Sequence, residues 1–232
     1  MSRGLGDVYK RQEFDNLASN ITIGGDNDSE RNIISANGMH GILLSGSEVS
    51  LNTIKGNYVG TDSSGLLPRG NGGDGIRIED SAYDNTIGPD NLITNISWDG
   101  VRVDSILSLG HLITENRIFN NSLEGIKLTN GANNSLPAPS IDDAINKPYQ
   151  ITGTACTGCT VEVFQNPDDD GEGKFFVGAA TADATTGSFT LQAFITNPYL
   201  TATASDAGDG TSEFSASFEV PFRTIVLPLT LR

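Results

Sequence analysis

The chain has 232 residues, with 14 lysines and arginines against 29 aspartates and glutamates, and a formal charge of −15. This acidity argues against a nucleic-acid partner, because phosphate binding needs clustered basic side chains. Only 37% of the residues are hydrophobic, and no apolar run approaches the roughly 18 residues that span a bilayer, so we expect no transmembrane segment.

Residues 1–12, MSRGLGDVYKRQ, differ in character from the sequence that follows them. The stretch 7–12, DVYKRQ, resembles the translation of a transposase mosaic end used in sequencing libraries. We therefore interpret 1–12 as a non-native leader and expect the natural N-terminus to be missing. A native targeting peptide is the alternative, but no apolar stretch follows the basic residues.

A repeat of the form N-x-I-x6-G-[IV]-x-[ILV] occupies residues 20–128. Three copies, starting at Asn32, Asn91 and Asn116, separate the Asn from the Gly by nine residues. In the copy that starts at Asn52 this spacing is 23 residues, because a Gly-rich polar loop at 60–74 is inserted. The repeat glycines at 75, 100 and 125 are spaced by 25 residues.

A fixed period of this length predicts a solenoid. Apolar residues alternate within each repeat, which predicts short parallel strands with Ile76 and Ile78 inward and Arg77 and Glu79 outward. We expect the repeat Gly and Asn residues to occupy bends with positive φ, and stacked Asn side chains to form hydrogen-bonded ladders between turns. A β-sandwich with accidental self-similarity is the alternative.

The string NTIKGNYVGTDSSG, followed by GNGGDGIRIEDSAYDNTIGPDNLITN, resembles bacterial right-handed parallel β-helix repeat proteins of the pectate-lyase-like superfamily. The resemblance covers residues 20–128 and implies an all-β fold: a right-handed parallel β-helix of about four to five turns, which we assign to 13–129. That fold hosts polysaccharide lyases, hydrolases, epimerases and adhesins, so it implies no single function.

The composition changes after the repeat. We interpret 130–147 as a linker and 148–220 as a small antiparallel β-sandwich with short strands at 150–154, 160–164, 174–181, 188–193, 200–205 and 213–220. This segment resembles immunoglobulin-like modules of bacterial surface and secreted proteins, which implies a spacer or accessory role. The apolar tail at 221–232 resembles the endings of some bacterial secreted proteins, with a sorting signal and a last docked strand as alternatives.

Charged residues recur with the 25-residue period. Asp74, Asp99 and Glu124 form an acidic column, and Arg77, Arg102 and Lys127 form a basic column three residues later. Stacked carboxylates could act in glycoside hydrolysis, and the resemblance to lyases implies calcium-assisted β-elimination with Arg as the base. A sugar-binding face and a solvated, salt-bridged surface are the alternatives.

Three further features are candidate sites. Trp98, the only tryptophan, could stack on a sugar ring beside Arg77 and Arg102. Cys156 and Cys159 form a C-x-x-C motif, which is compatible with a redox pair, half of a zinc site or a local disulfide. We favour the disulfide, because zinc lacks two further ligands nearby and a redox role lacks its βαβ context.

The third feature is an acidic segment, in which Asn166, Asp168 and Asp170 resemble the first half of an EF-hand calcium loop. Val177 stands where that loop needs its bidentate acid. A solvated acidic hairpin turn is the alternative. No cofactor is required by any other motif.

These observations predict a non-catalytic fragment of a secreted or cell-surface protein that presents a ligand-binding or adhesion surface to a polysaccharide or cell-surface ligand. A polysaccharide lyase or hydrolase is the alternative. We also expect oligomers through the N-terminal end, because residues 13–20 are too short to cap a turn.

Overall fold

The computed structural model describes residues 12–14, 17–145 and 149–221. Its first part contains thirteen short strands: β1 (Gln12–Phe14), β2 (Thr22–Gly24), β3 (Ile33–Ile34), β4 (Ile42–Ser45), β5 (Thr53–Lys55), β6 (Tyr58–Val59), β7 (Ile76–Glu79), β8 (Thr86–Ile87), β9 (Leu92–Thr94), β10 (Val101–Asp104), β11 (Leu112–Ile113), β12 (Arg117–Phe119) and β13 (Ile126–Thr129). Two 3-10 turns lie at Asp28–Glu30 and Ala132–Ser135.

Strands β1–β13 form three parallel sheets stacked like a β-helix, and we call this part the solenoid. Sheet 1 has the order β1-β4-β7-β10-β13, sheet 2 the order β2-β5-β8-β11 and sheet 3 the order β3-β6-β9-β12. Each turn therefore contributes one strand to each sheet. The register of the last three turns is the predicted one, since Arg102 pairs with both Arg77 and Lys127. The copy with the inserted loop differs, because its equivalent asparagine is Asn57 and not Asn52: Ile33 pairs with Tyr58, and Asn52 stacks on Asn85 instead.

The solenoid interior is a continuous aliphatic cluster. Ile76 and Ile78 are fully buried within it, whereas Arg77 and Glu79 on the same strand point outward. The predicted alternation is confirmed here. Burial of such side chains contributes about 25 cal/mol per Å² of apolar surface, which makes this cluster the main source of solenoid stability.

Stacked polar side chains form the predicted ladders between turns. In one ladder the Oδ1 atoms of Asn57, Asn91 and Asn116 accept the backbone N–H of the equivalent Asn one turn earlier, at 3.2, 3.0 and 3.3 Å. The ladder has a direction, because each of its asparagines donates its backbone N–H to the asparagine of the next turn toward the C-terminal end. The last turn consequently needs acceptors from outside the repeat.

The repeat glycines have a different role from the predicted one. Gly41, Gly75, Gly100 and Gly125 do not have positive φ, and neither do the repeat asparagines at 32, 52, 91 and 116. Instead, a Cβ atom added to Gly75 would lie 2.5 Å from the carbonyl oxygen of Gly100, and one on Gly100 would lie 2.6 Å from that of Gly125. These glycines permit close approach of successive turns.

The C-terminal module contains β14 (Ser140–Ile145), β15 (Gln150–Thr154), β16 (Thr160–Asn166), β17 (Phe175–Thr181), β18 (Ser188–Gln192), β19 (Tyr199–Asp206), β20 (Gly210–Thr211) and β21 (Phe218–Glu219). One antiparallel sheet has the order β14-β15-β18, and the other has the order β17-β16-β19-β20 with β21 also on β19. A second apolar cluster, including Ile151, Val163 and Leu200, is shared by both sheets.

Two segments of this module differ from the predicted elements. Strand β14 lies inside the stretch 130–147 interpreted as a linker, and it pairs with β15 along its length. The stretch 213–220 is a strand only at β21, because the hydroxyls of Ser212 and Ser215 accept the N–H groups of Ala204 and Ala202. These side chains take the place of ladder carbonyls and let residues 213–214 face the solenoid.

The ends of the chain fall mostly outside the described residues. Strand β1 begins at Gln12, the last residue of the interpreted leader, and pairs with β4; residues 1–11 and the tail from residue 222 onward lie outside the description. Association through the N-terminal end stays a prediction.

Candidate functional site

The acidic column is a structural ladder at two of its three members. Asp74 and Asp99 are 0% and 1% exposed. Oδ1 of Asp74 accepts the N–H of Asp99 at 3.2 Å, and Oδ1 of Asp99 accepts the N–H of Glu124 at 3.0 Å. Their second oxygens lie 3.3 Å from Nη1 of Arg77 and 3.1 Å from Nη1 of Arg102. Both carboxylates are thus committed to the fold, whereas Glu124 is exposed.

The basic column is held by ion pairs. Arg77 contacts three carboxylates, those of Asp74, Glu79 at 2.8 Å and Asp104 at 3.0 Å. The carboxylates raise the pKa of Arg77, although burial alone would lower it. Lys127 lies 3.3 Å from Glu213 of the C-terminal module. The structure therefore brings the six column residues together as predicted and pairs five of them by charge.

Trp98 lies at the corner beside this column. It is 43% exposed, and its ring meets that of His40 edge-on with centroids 6.0 Å apart. His40 is buried, and its Nδ1 accepts the N–H of Asp74 at 3.0 Å. One face of Trp98 is available to solvent, but Arg77 and Arg102 are turned toward carboxylates.

A cleft of about 240 Å³ opens on the outer face of sheet 3. Its floor is the outward column Tyr58, Leu92 and Arg117, which the strand register places side by side. Its rim is made by the polar corners of neighbouring turns, with Gly25, Asp26, Asn27, Arg31, Gly56 and Asp90. This cleft was not predictable from the repeat, because its lining residues occupy positions that vary between copies, such as Leu92 and Arg117.

Arg31 and Tyr58 form one wall of the cleft. The Arg31 guanidinium lies over the Tyr58 ring, 4.1 Å from its centroid. Its Nε donates to the carbonyl oxygen of Gly56 at 3.3 Å, and its Nη2 pairs with Asp28 at 2.6 Å. The guanidinium is thereby held by an aromatic ring, a carbonyl oxygen and a carboxylate. Planar polar groups held beside an aromatic ring suit ligands that combine hydroxyls with apolar faces.

The C-terminal module supplies the acceptors that the last turn needs. Glu172 accepts the N–H of Asn121 at 3.0 Å and its side-chain amide at 2.8 Å. Glu162 accepts the N–H of Glu115 at 2.9 Å and the Thr114 hydroxyl. Burial raises the pKa of both carboxyls, to about 7 for Glu172. Glu172 thus stands where a further turn would place an asparagine, and Glu162 stands where it would place a backbone carbonyl, such as that of Glu115, which accepts the N–H of Asp90.

Other groups of the module complete this junction. Glu213 accepts the N–H of Leu128 at 2.9 Å, and Thr211 Oγ1 accepts that of Ile113 at 2.8 Å. Phe214 packs against the aliphatic interior and meets Phe164 edge-on, with ring centroids 5.5 Å apart. The open end of the solenoid is therefore covered by both polar and apolar contacts.

The remaining predicted residues have local roles. The structure joins Cys156 and Cys159 in a disulfide, with Cα atoms 5.5 Å apart. Asn166 is buried, with Oδ1 accepting the N–H of Lys174 at 2.8 Å and Nδ2 donating to the Glu172 carbonyl at 2.8 Å. Asp168 and Asp170 are exposed, and Asp170 accepts the N–H of Glu172 at 3.2 Å. Asn166 therefore organises the loop, and calcium binding here stays a prediction.

Within the described ranges, no three His, Cys, Asp or Glu side chains are grouped to hold a metal ion. The same residues contain no helix with the length and apolarity needed to cross a membrane. No protein-family model matches the chain, and no curated protein shows significant similarity to it. The class of protein is thus defined by the fold itself: an all-β chain of stacked parallel sheets, like a β-helix, with two antiparallel sheets after it.

Proposed function

We propose that this chain is a non-catalytic part of a secreted or cell-surface bacterial protein, and that its solenoid binds a saccharide in the cleft on sheet 3. In this proposal the solenoid is a right-handed β-helix of the pectate-lyase-like superfamily, and the C-terminal module is immunoglobulin-like. The disulfide between Cys156 and Cys159 supports an oxidising compartment.

The observation that carries the proposal is the lining of the cleft. Asp26, Asn27, Arg31 and Asp90 surround the floor, which Tyr58, Leu92 and Arg117 form. Carboxylate, amide and guanidinium groups can each engage two neighbouring hydroxyls, and the ring can contact the C–H face of a sugar. The cleft measures about 240 Å³, slightly below the volume of typical small-molecule pockets, so it would accommodate a small part of a longer saccharide.

The enzymatic alternative, a polysaccharide lyase or hydrolase, finds less support in the geometry. A general acid or nucleophile must reach its substrate. Asp74 and Asp99 are buried, and each uses one oxygen for a backbone N–H and the other for an arginine. Arg77, the candidate base, is held by three carboxylates.

Calorimetric titration against a panel of neutral and charged oligosaccharides tests the proposal. We expect at least one to bind, and Tyr58→Ala to weaken it tenfold or more. Tyr83→Ala is the matched control, because Tyr83 is 39% exposed and does not line the cleft. Binding lost in Trp98→Ala but kept in Tyr58→Ala would move the site to the Trp98 corner; no binding at millimolar concentrations would overturn the proposal.

The same panel tests for catalysis. We expect no release of reducing ends or unsaturated products from any polysaccharide. Turnover that disappears in Asp74→Asn or Asp99→Asn, with the fold retained by circular dichroism, would favour the enzyme instead.

A further inference from the structure

Sheet 3, which carries the cleft, contacts the C-terminal module beside Arg117, the cleft residue on its last strand. Ile118 of β12 and Gly173 exchange two backbone hydrogen bonds, both at 2.8 Å, as an antiparallel bridge. Residue 173 thus pairs with the edge of sheet 3 through a single antiparallel bridge. An antiparallel bridge places the residue before Ile118 opposite the residue after Gly173, so Arg117 and Lys174 face each other on the outer surface.

Two cations directly opposite each other on a sheet repel. The side chains of Arg117 and Lys174 have no carboxylate within 4.0 Å among the described residues. This is unusual in a chain whose acidic residues outnumber its basic residues 29 to 14. Among the other described basic residues, Arg31, Lys55, Arg77, Arg102 and Lys127 each have a carboxylate partner, and Arg69 has none but lies alone on an exposed loop.

Aromatic rings position the two cations. The Lys174 Nζ lies 4.5 Å from the centroid of Phe119 and 5.6 Å from that of Phe175. The Arg117 guanidinium lies 5.8 and 5.6 Å from the same two rings, and its Nε donates to the Lys174 carbonyl oxygen at 3.4 Å. Cation–π contacts fix the positions of the charges without neutralising them.

We propose that Arg117 and Lys174 together bind an anionic group, a carboxylate or sulfate, of the saccharide that occupies the cleft. This inference rests on the proposed function, because Arg117 also lines the cleft. An anion between the two cations would relieve their repulsion and form charge-assisted hydrogen bonds with both. Since Lys174 belongs to the C-terminal module, the complete site needs both parts of the chain.

Titration with dextran, carboxymethyl dextran and dextran sulfate of equal chain length provides the first test. We expect at least one charged polymer to bind tenfold or more tightly than neutral dextran, despite the overall charge of −15. The two charged arms distinguish a carboxylate from a sulfate. Equal binding of all three, or none by any, would overturn the anionic site.

Variants provide the second test. Arg117→Gln and Lys174→Gln should each weaken the preferred charged polymer about tenfold, whereas Arg69→Gln, an equal charge change at another exposed position, should not. Equal loss in all three would show only a general charge effect. Thermal unfolding of each variant verifies the fold. Lys174→Arg keeps the positive charge that Lys174→Gln removes, so it should bind the charged polymer about as tightly as the intact chain.

The two proposals fail in distinguishable ways. If a neutral saccharide from the panel binds and depends on Tyr58 but no charged polymer is preferred, only the anionic site is wrong. If charged polymers bind through Arg117 and Lys174 but Tyr58→Ala has no effect, the site lies at the junction and the cleft is not used. If no saccharide of either kind binds, both proposals are wrong.

Discussion

Glu172 holds Asn121 by two hydrogen bonds, from the backbone N–H at 3.0 Å and from the side-chain amide at 2.8 Å. The same pair of bonds joins Asn91 to Asn116 inside the solenoid, at 3.3 and 2.9 Å. A carboxyl of the C-terminal module therefore reproduces the contact that a repeat asparagine makes. The module resembles a further turn in its chemistry, although it is antiparallel in structure.

We predict that Glu172 makes stability fall as pH rises. Burial raises its pKa from 4.5 to about 7 in the folded chain. Between pH 4.5 and about pH 7 the folded state thus binds more protons than the unfolded state. The stabilisation from the protonated Glu172 is fully present below pH 4.5 and is lost by about pH 7. The shift corresponds to roughly 3 kcal/mol. Urea unfolding from pH 4 to pH 8 should show a smaller decrease for Glu172→Gln.

His111 should give the opposite pH dependence of stability over nearly the same pH range. It occupies an asparagine position in a second ladder, where its Nδ1 accepts the N–H of Asn85 at 3.3 Å and its Nε2 lies 2.9 Å from the Ala82 carbonyl. Burial lowers its pKa from 6.5 to about 4, so stability falls as pH decreases through this interval, by up to about 3 kcal/mol.

The two slopes oppose each other in the intact chain. In His111→Asn the free energy of unfolding should show only the decrease with rising pH that Glu172 causes. In Glu172→Gln it should show only the decrease with falling pH that His111 causes. Identical pH profiles for the intact chain and both variants would contradict this assignment.

The asparagine ladder should be costly to interrupt. Asn91→Ala removes the acceptor of the Asn57 N–H and the donor to the Ile54 carbonyl. Unpaired buried groups cost about 1–3 kcal/mol each, so we expect a loss of about 3 kcal/mol in urea unfolding. Asn91→Asp keeps the acceptor but replaces the buried donor to the Ile54 carbonyl and to Asn116 by an oxygen, so it should also be destabilising. Asn197→Ala is the control, since its side chain makes only an exposed contact with Thr196; equal losses at positions 91 and 197 would be inconsistent with a ladder role.

Phe214 should couple the module to the solenoid. Its ring packs on the aliphatic cluster and against Phe164, so Phe214→Ala should cost about 3 kcal/mol through the cavity it leaves. Hydrogen exchange should show faster exchange at β12 and β13 than at β7. Phe194→Ala is the matched control, because Phe194 is 63% exposed. Unchanged protection from hydrogen exchange in β12 and β13 would show that the last turn of the solenoid is stable without the Phe214 ring.

We expect the disulfide to be fully formed and to contribute only modestly to the free energy of unfolding. Thiol titration of unfolded protein purified under oxidising conditions should find no free thiol, because Cys156 and Cys159 are joined. The closed loop is short, so its loss in Cys156→Ser/Cys159→Ser should cost about 2 kcal/mol. Two reactive thiols per chain would contradict the pairing.

The repeat was readable from sequence because each of its features has a fixed period. The spacing of Gly75, Gly100 and Gly125 predicted the register, and the apolar alternation predicted which side chains are buried. The role of the glycines was not readable, because both positive φ and close approach select glycine, and only coordinates separate them.

The junction and the cleft depend on long-range contacts. Glu162, Glu172 and Phe214 look like ordinary strand and turn residues, and nothing local indicates that they contact a solenoid about 50 to 90 residues earlier. The columns were located correctly, but the commitment of Asp74 and Asp99 to backbone N–H groups required the geometry of neighbouring turns.

The ladder direction and the 25-residue spacing have a consequence for the length of this protein. Excision of residues 76–100 would join Gly75 to Val101, bring β4 beside β10 in the same register, and leave every group at the junction unchanged. The solenoid can therefore gain or lose whole turns by duplication or deletion of one unit while keeping the same terminal module. Each added or removed turn would change the length of the solenoid by about 4.8 Å, and with it the distance between the groups that flank the solenoid.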